Sequence, residues 1–269
     1  MVKTQAPIGI FDSGVGGLSV LREIRALLPA ENLIYVADQA RVPYGPRPIT
    51  EIRAFSRAIT QFLLAQQAKL IVVACNTASA AALAWLRETF PQTLFVGMEP
   101  AIKPAAASTK NGRVGVLATT GTIKSERYAA LRSRFARDVT VYENPCAGLV
   151  DLIESGELAS PRLETILRDC LDPMLAAGVD TIVLGCTHYP FVLPAIERIA
   201  GAAVTIIDPA PAVARQTRRL LQTHHYLAPA GGNGRLRLLT TAAPAPLTTF
   251  AQRVLSFTGT AETVTIPNQ

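Results

Sequence analysis

The chain has 269 residues, 49% apolar and 17% charged, with 26 Lys and Arg against 20 Asp and Glu. That much apolar content can bury a core in one or two globular domains, and no run approaches the ~20 apolar residues that span a bilayer. The net charge of +6 is scattered along the sequence, so nucleic acid is not indicated, whereas a small acidic ligand suits it.

The N-terminal MVKTQAPIGIF lacks the zones of a secretory signal, which makes the cytoplasm the expected address, with no membrane association. Four cysteines fall short of a disulfide framework, and in a reducing compartment they stay as thiols. From there, short β-branched runs alternate with stretches of helical period: IGIF then LSVLREIRALL, LIYVA then EIRAFSRAITQFLLAQQ, LIVVA then ASAAALAWLRETF, then LFVGM. Such alternation predicts βαβ units and a parallel sheet flanked by helices. In the first helix Leu18, Leu21, Ile24 and Leu28 recur every three or four residues and mark a buried stripe. The basic run RSRFAR at 132–137 reads as a solvated helix face.

A second series then begins: VGVLA, VTVYE, TIVLG and VTIID, separated by stretches such as LETILRDCLDPMLAAG. Ile8 and Val114 stand 106 residues apart, Cys75 and Cys186 stand 111 apart, and Glu99-Pro-Ala and Asp208-Pro-Ala stand 109 apart. An ordered set of turns at near-constant offset predicts two similar α/β domains related by duplication. The expected division is 1–100 plus 210–269 for the Cys75 half and 101–209 for the Cys186 half, with the active site between them and a late strand and helix returning to the first.

Ligands of open parallel sheets bind beyond the carboxyl ends of the strands, where helix N–H groups point outward. Both Cys75 and Cys186 follow apolar strands directly, with Asn76 or Thr77 as a cap for the first following helix and Thr187 as a candidate for the second. A thiol at a helix N-terminus is shifted toward thiolate. Taken alone, Cys75 also reads as a small core hydrophobe, but its duplicate at Cys186 argues for chemistry. Cys170 lies in an apolar stripe and reads as core. Cys186 with His188 lacks the spacing of a structural zinc site, so no metal is expected. The run Gly14-Val15-Gly16-Gly17-Leu18-Ser19 after a strand, with Asp38 closing the next one, offers a distant alternative, a nucleotide-dependent oxidoreductase, although Ser19 stands where that loop needs glycine.

The stretches FDSGVGGLSV, VADQARVPYG, VACNTASAAAL, MEPA, TTGTIKSERY, GLVDLIESGEL, LGCTHYP and IIDPA resemble, in order, the signatures of the glutamate racemase family, over nearly the whole chain. The resemblance implies cofactor-independent interconversion of L- and D-glutamate, supplying D-glutamate for peptidoglycan, with an aspartate or other amino-acid racemase as the alternative. It implies that Cys75 removes the Cα proton of D-glutamate and Cys186 that of L-glutamate. It also implies that Asp12 assists the first thiol, and Glu154 and His188 the second. Substrate contacts carried over with it are Asp12, Ser13, Tyr44, Gly45, Asn76, Thr77, Thr187 and His188. Asp12 aligns with Ala118 in the repeat, so assistance need not be symmetrical. No pyridoxal or other cofactor is expected, which leaves hydrogen bonds and water exclusion to stabilise the carbanion. An ordinary thiol, with a pKa near 8.5, needs about 2 kcal/mol of thiolate stabilisation to reach a pKa near 7. The resemblance further implies a homodimer; a secondary topoisomerase interaction, reported for some relatives, is not legible in these residues. Ala147 replaces a proline common in the family, and Arg47 a lysine. The absence of a long N-terminal extension leads to the expectation that a peptidoglycan precursor does not activate this chain.

Overall fold

A computed structural model describes residues 3–267. The chain divides into two compact units, Met1–Met98 with Ala210–Gln269, and Glu99–Pro209. In chain order the first unit opens with β1 (Ile8–Asp12), α1 (Leu18–Leu27), β2 (Leu33–Ala37), α2 (Ile49–Ala65), β3 (Leu70–Val73), α3 (Asn76–Thr89) and β4 (Phe95–Gly97). The second contains α4 (Ile102–Ser108), β5 (Arg113–Ala118), α5 (Thr120–Ile123), α6 (Glu126–Phe135), β6 (Thr140–Asn144) and α7 (Leu149–Glu154). It continues with α8 (Pro161–Ala176), β7 (Thr181–Gly185), α9 (Leu193–Ala200) and β8 (Thr205–Ile207). The chain then re-enters the first unit with α10 (Ala210–Thr223), β9 (Leu236–Thr240), α11 (Pro244–Leu255) and β10 (Glu262–Thr263).

Each unit holds one all-parallel sheet. The first has the order β10-β9-β2-β1-β3-β4 and the second β6-β5-β7-β8. The second sheet thus repeats the order of β2-β1-β3-β4, and the registers repeat as well: Ile8 lies opposite Leu70 in the first, and Val114 opposite Thr181 in the second. Strands β1 and β3 are buried throughout, as their unbroken apolar runs require of a sheet covered on both faces. On α1, Leu18, Leu21 and Ile24 are wholly buried, each contributing roughly 1.5–3 kcal/mol of transfer free energy. Truncating Ile24 to Ala would cost about 2–5 kcal/mol. Phe11, Val36, Ile59, Leu63, Val73 and Leu83 belong to the core of the first unit. In the second, Ile102, Val116, Tyr128 and Val183 do the same. Helix α6 buries only Tyr128, leaving Arg132 and Arg134 as the solvated face its charges predict.

Both sheets change winding direction beside their first strand, so β1 and β3 in one unit, and β5 and β7 in the other, flank the switch point where ligands of such sheets bind. Among the described residues, no helix is long and apolar enough to cross a membrane.

Candidate active site

In the first unit, β1 and β3 end side by side and deliver Asp12 and Cys75 to the same edge. Cys75 itself is the N-cap of α3, its Sγ accepting from the Ala78 amide at 3.4 Å. This corrects the expected cap at Asn76 or Thr77: the strand ends one residue earlier in the turn, so the extended backbone needed for a cap falls on Cys75, and Asn76 is already helical. Ser13 Oγ lies 3.9 Å from the sulfur. Asp12 is wholly buried, and its Oδ1 accepts from the Gly14 amide at 2.9 Å and the Ser13 hydroxyl at 3.3 Å.

Asn76 and Thr77, 3% and 4% exposed, lie under the thiol at the start of α3. Both polar atoms of the Asn76 side chain are buried without a hydrogen-bond partner. Leaving such a group unsatisfied costs about 1–3 kcal/mol, a price that a binding site tolerates when a ligand supplies the missing partner. Tyr44, 1% exposed, donates its hydroxyl to Asp38 Oδ2 at 2.5 Å. Burial drives its phenol well above the usual range; the charge of Asp38, the hydrogen bond to it, and the nearby Cys75 push the same way. Tyr44 therefore stays protonated. Gly45 follows in the same loop.

The glycine-rich loop before α1 does not offer an open phosphate cradle. Tyr35 Oη donates to the Gly14 carbonyl at 2.6 Å, and Ser19 Oγ donates to the Gly16 carbonyl at 2.8 Å. A Cβ on Gly17 would meet Asp12 Cβ at 2.7 Å and Tyr35 Oη at 2.9 Å. The loop's glycine lets α1 close down on Asp12 and Tyr35.

In the second unit, Cys186 stands five residues after the start of β7, as Cys75 stands five after the start of β3. A 3-10 turn over Tyr189–Val192 follows, with His188 at its N-cap making no side-chain capping bond. Thr187, 2% exposed, is therefore not the cap of that turn, because the helical start falls one residue later, after His188. Gly185 allows the close approach of β5, since a Cβ there would meet Ala118 Cβ at 2.7 Å and the Leu117 carbonyl oxygen at 2.9 Å. Cys186 Sγ lies 3.6 Å from His188 Nδ1, and His188 Nε2 lies 2.6 Å from Glu154 Oε1 at the end of α7. Burial of His188 acts to lower its pKa, but hydrogen bonds to Cys186 and Glu154 outweigh it and carry the imidazole well above its usual range. The result is a Cys–His–Glu line in which the imidazolium can donate to sulfur on one side and is held by a carboxylate on the other. Among the described residues no group of three or more His, Cys, Asp and Glu is arranged to hold a metal.

Beside the candidate residues of the first unit lie Arg41, Thr241 and Asp38, the last expected only as part of the distant nucleotide alternative. Asp38, wholly buried, accepts from Arg41 Nη1 at 2.9 and 3.2 Å and from Thr241 Oγ1 at 2.9 Å as well as from Tyr44. Its place at the carboxyl end of β2, beside β1, was a legible signal; the partner Thr241 comes from about 200 residues downstream and was not.

Two like-wound parallel sheets, each carrying a cysteine at the carboxyl end of its third strand, define a duplicated α/β enzyme of the racemase class, and the chain belongs to the Asp/Glu/Hydantoin racemase family, whose model matches residues 8–217. Within that family it is similar to the glutamate racemase of Pseudomonas paraeruginosa, 56% identical over 244 residues that cover 91% of this chain and 92% of the relative. Two solved structures share the fold over almost the whole chain. Glutamate racemase from Francisella tularensis in complex with D-glutamate superposes with a TM-score of 0.86 at 30% identity, covering 99% of this chain and 100% of that one. The Escherichia coli glutamate racemase in complex with L-glutamate and the activator UDP-MurNAc-Ala gives 0.84 at 36% identity, covering 97% and 99%.

Proposed function

We propose that this chain interconverts L- and D-glutamate by proton transfer at Cα, with the two units acting as two domains that each contribute one thiol. Inverting a stereocentre requires removing the proton from one face and returning one to the other, so one sulfur begins as thiolate and the other as thiol. Cys75 takes the proton of D-glutamate and Cys186 that of L-glutamate, the roles exchanging with direction. The observation that carries this reading is the repetition of a cysteine at one register position in two like sheets, Leu70 to Cys75 and Thr181 to Cys186, each with its own polar helper.

The helpers differ. Asp12 and Ser13 serve the first thiol, the buried carboxylate also offering a partner to the substrate ammonium. His188, held charged by Glu154, exchanges a proton with Cys186 directly. Asn76, Thr77 and Thr187 present amide and hydroxyl groups to the substrate carboxylates, while Tyr44 and Gly45 complete the first half. Exclusion of water strengthens each of these hydrogen bonds as negative charge develops at Cα. The product D-glutamate suits peptidoglycan synthesis in the cytoplasm, and the protein acts as a homodimer, which light scattering would test.

The decisive experiment incubates purified protein without added cofactor with each glutamate enantiomer, and separately with aspartate, in heavy water, following optical rotation and Cα deuterium. Loss of rotation with one deuterium entering Cα of glutamate is the expected result. Rotation that stays constant with glutamate, or aspartate turned over faster, would overturn the assignment.

A further inference from the structure

Tyr44 is fastened by chain far from it in sequence. Arg41, whose side chain is 14% exposed, donates Nη1 to Asp38 and Nη2 to the Ile266 carbonyl at 2.6 Å. That carbonyl belongs to the C-terminal segment, where the Val264 amide donates to the Thr240 carbonyl at 2.8 Å. Ile266 is 5% exposed and shares one core cluster with Tyr44 and Phe55. The guanidinium groups of Arg41 and Arg47 lie over the Phe55 ring at 4.8 and 5.4 Å, and Arg47 Nε donates to the Arg41 carbonyl at 2.7 Å. The Tyr44 hydroxyl, through Asp38, and the Arg41 guanidinium, directly, are thus tied to Thr241 and Ile266, chain that comes more than 190 residues later.

We propose that Arg41, clamped by the Ile266 carbonyl, is a positioning residue that fixes the Tyr44 hydroxyl and its loop for substrate, so that the C-terminal segment works as a latch on this half of the active site. The proposal rests on the reading of Tyr44 and Gly45 as substrate contacts. Its chemistry follows from donor count. Asp38 is a buried carboxylate with four donated hydrogen bonds, and only a planar fork can satisfy it and the Ile266 carbonyl together. Because the Tyr44 proton is committed to Asp38, the phenol oxygen can only accept from an incoming group. It therefore suits an ammonium or thiol hydrogen and rejects a carboxylate. A lysine at position 41 could reach one of the two oxygen partners but not both.

The test compares Arg41→Lys, a chain ending at Thr263, Tyr44→Phe and the double variant Arg41→Lys with Tyr44→Phe. For each, kcat and KM are measured with both enantiomers, together with hydrogen exchange at the amides of Arg41 and Arg47, which bond the Asp38 and Tyr44 carbonyls. Losing one charge-assisted hydrogen bond from the latch should raise KM on the order of tenfold with little change in kcat. The double variant should be no worse than Tyr44→Phe alone. Exchange at Arg41 and Arg47 should quicken while the amides of β1 and β3 keep their protection. Effects of Arg41→Lys and Tyr44→Phe that add in full, or loop amides that exchange as in the unaltered protein, would overturn the latch. If the unaltered protein failed to racemise glutamate, the function proposed above would fall, and the exchange measurement would still decide the latch.

Discussion

Replacing Glu154 by Gln keeps the shape of the side chain and removes its charge from a contact of 2.6 Å to His188 Nε2. The two side chains are 12% and 3% exposed, so solvent cannot supply a substitute. A hydrogen bond to a charged group has a net worth of about 1.5–3 kcal/mol. If it holds His188 in its charged form while Cys186 exchanges a proton, kcat/KM should fall roughly 10- to 100-fold, since 1.36 kcal/mol is a factor of ten. Enantiomers have equal free energy, so the fall must be the same in both directions. What distinguishes the directions is the isotope effect. With Cys186 unassisted, abstraction from L-glutamate becomes more rate-limiting, and the primary effect with α-deuterated L-glutamate should grow while that with the D-enantiomer does not. The chain has three histidines, so the His188 imidazole can be followed by nitrogen-edited NMR. At neutral pH it should be charged in the native protein and lose that charge in the variant. A variant with native kcat/KM and a still-charged His188 would refute the proton line from Glu154 to Cys186.

Four further outcomes follow from the same geometry. Cys75→Ser and Cys186→Ser should each abolish racemisation in both directions, with losses of at least about 10²- to 10⁴-fold, the range of general acid–base catalysis; near-native turnover in either would sink the two-thiol mechanism. Asn76→Ala removes an amide whose two polar atoms lack partners, so thermal stability should hold or rise while KM for glutamate increases; a large drop in Tm would mean the amide is structural. Gly185→Ala drives a Cβ to 2.7 Å from Ala118 Cβ and should cost about 1–3 kcal/mol in a urea titration. The raised His188 pKa means that the native state holds its proton more tightly than the unfolded chain does. Its stabilisation is complete below about pH 6.5 and fades as pH rises through the higher native value. Unfolding of the native protein and Glu154→Gln at pH 5 and at alkaline pH should therefore show a gap that narrows toward the alkaline end.

The parallel architecture was legible because buried strands such as Leu70–Val73 are short and wholly apolar, and because the same order of turns occurs twice. The candidate residues stand out in the sequence where a side chain lies at or just past a strand end: Asp12 closes β1, Cys75 and Cys186 come within two residues of the ends of β3 and β7, and His188 follows two residues after Cys186. Caps were less so. Whether Cys75 or Asn76 begins α3 depends on a single residue's backbone angles, φ −105° and ψ 126° at Cys75, and side-chain type favours Asn. The support of Tyr44 was legible only at Asp38. It joins Asp38, Thr241 and Ile266, and nothing local to the PYG segment indicates that β9 pairs with β2 and brings Thr241 alongside.

The repeat also accounts for the different polar neighbours of the two cysteines. The pairing of β1 with β2 ends at Asp12 opposite Ala37, and that of β5 with β6 reaches Leu117 opposite Asn144. Continuing the second register by one residue sets Ala118 where the first sheet has Asp12, and by two sets Cys146 where it has Asp38. Both carboxylates of the first half are therefore missing from the equivalent places in the second. A thiol there needs its polar partner from elsewhere, and the chain supplies it in two pieces, His188 immediately after the cysteine and Glu154 from α7. The repeat keeps the position of the sulfur, which the strand end dictates, while its polar neighbours differ, because loops and short helices at the carboxyl edge can change without disturbing the sheet.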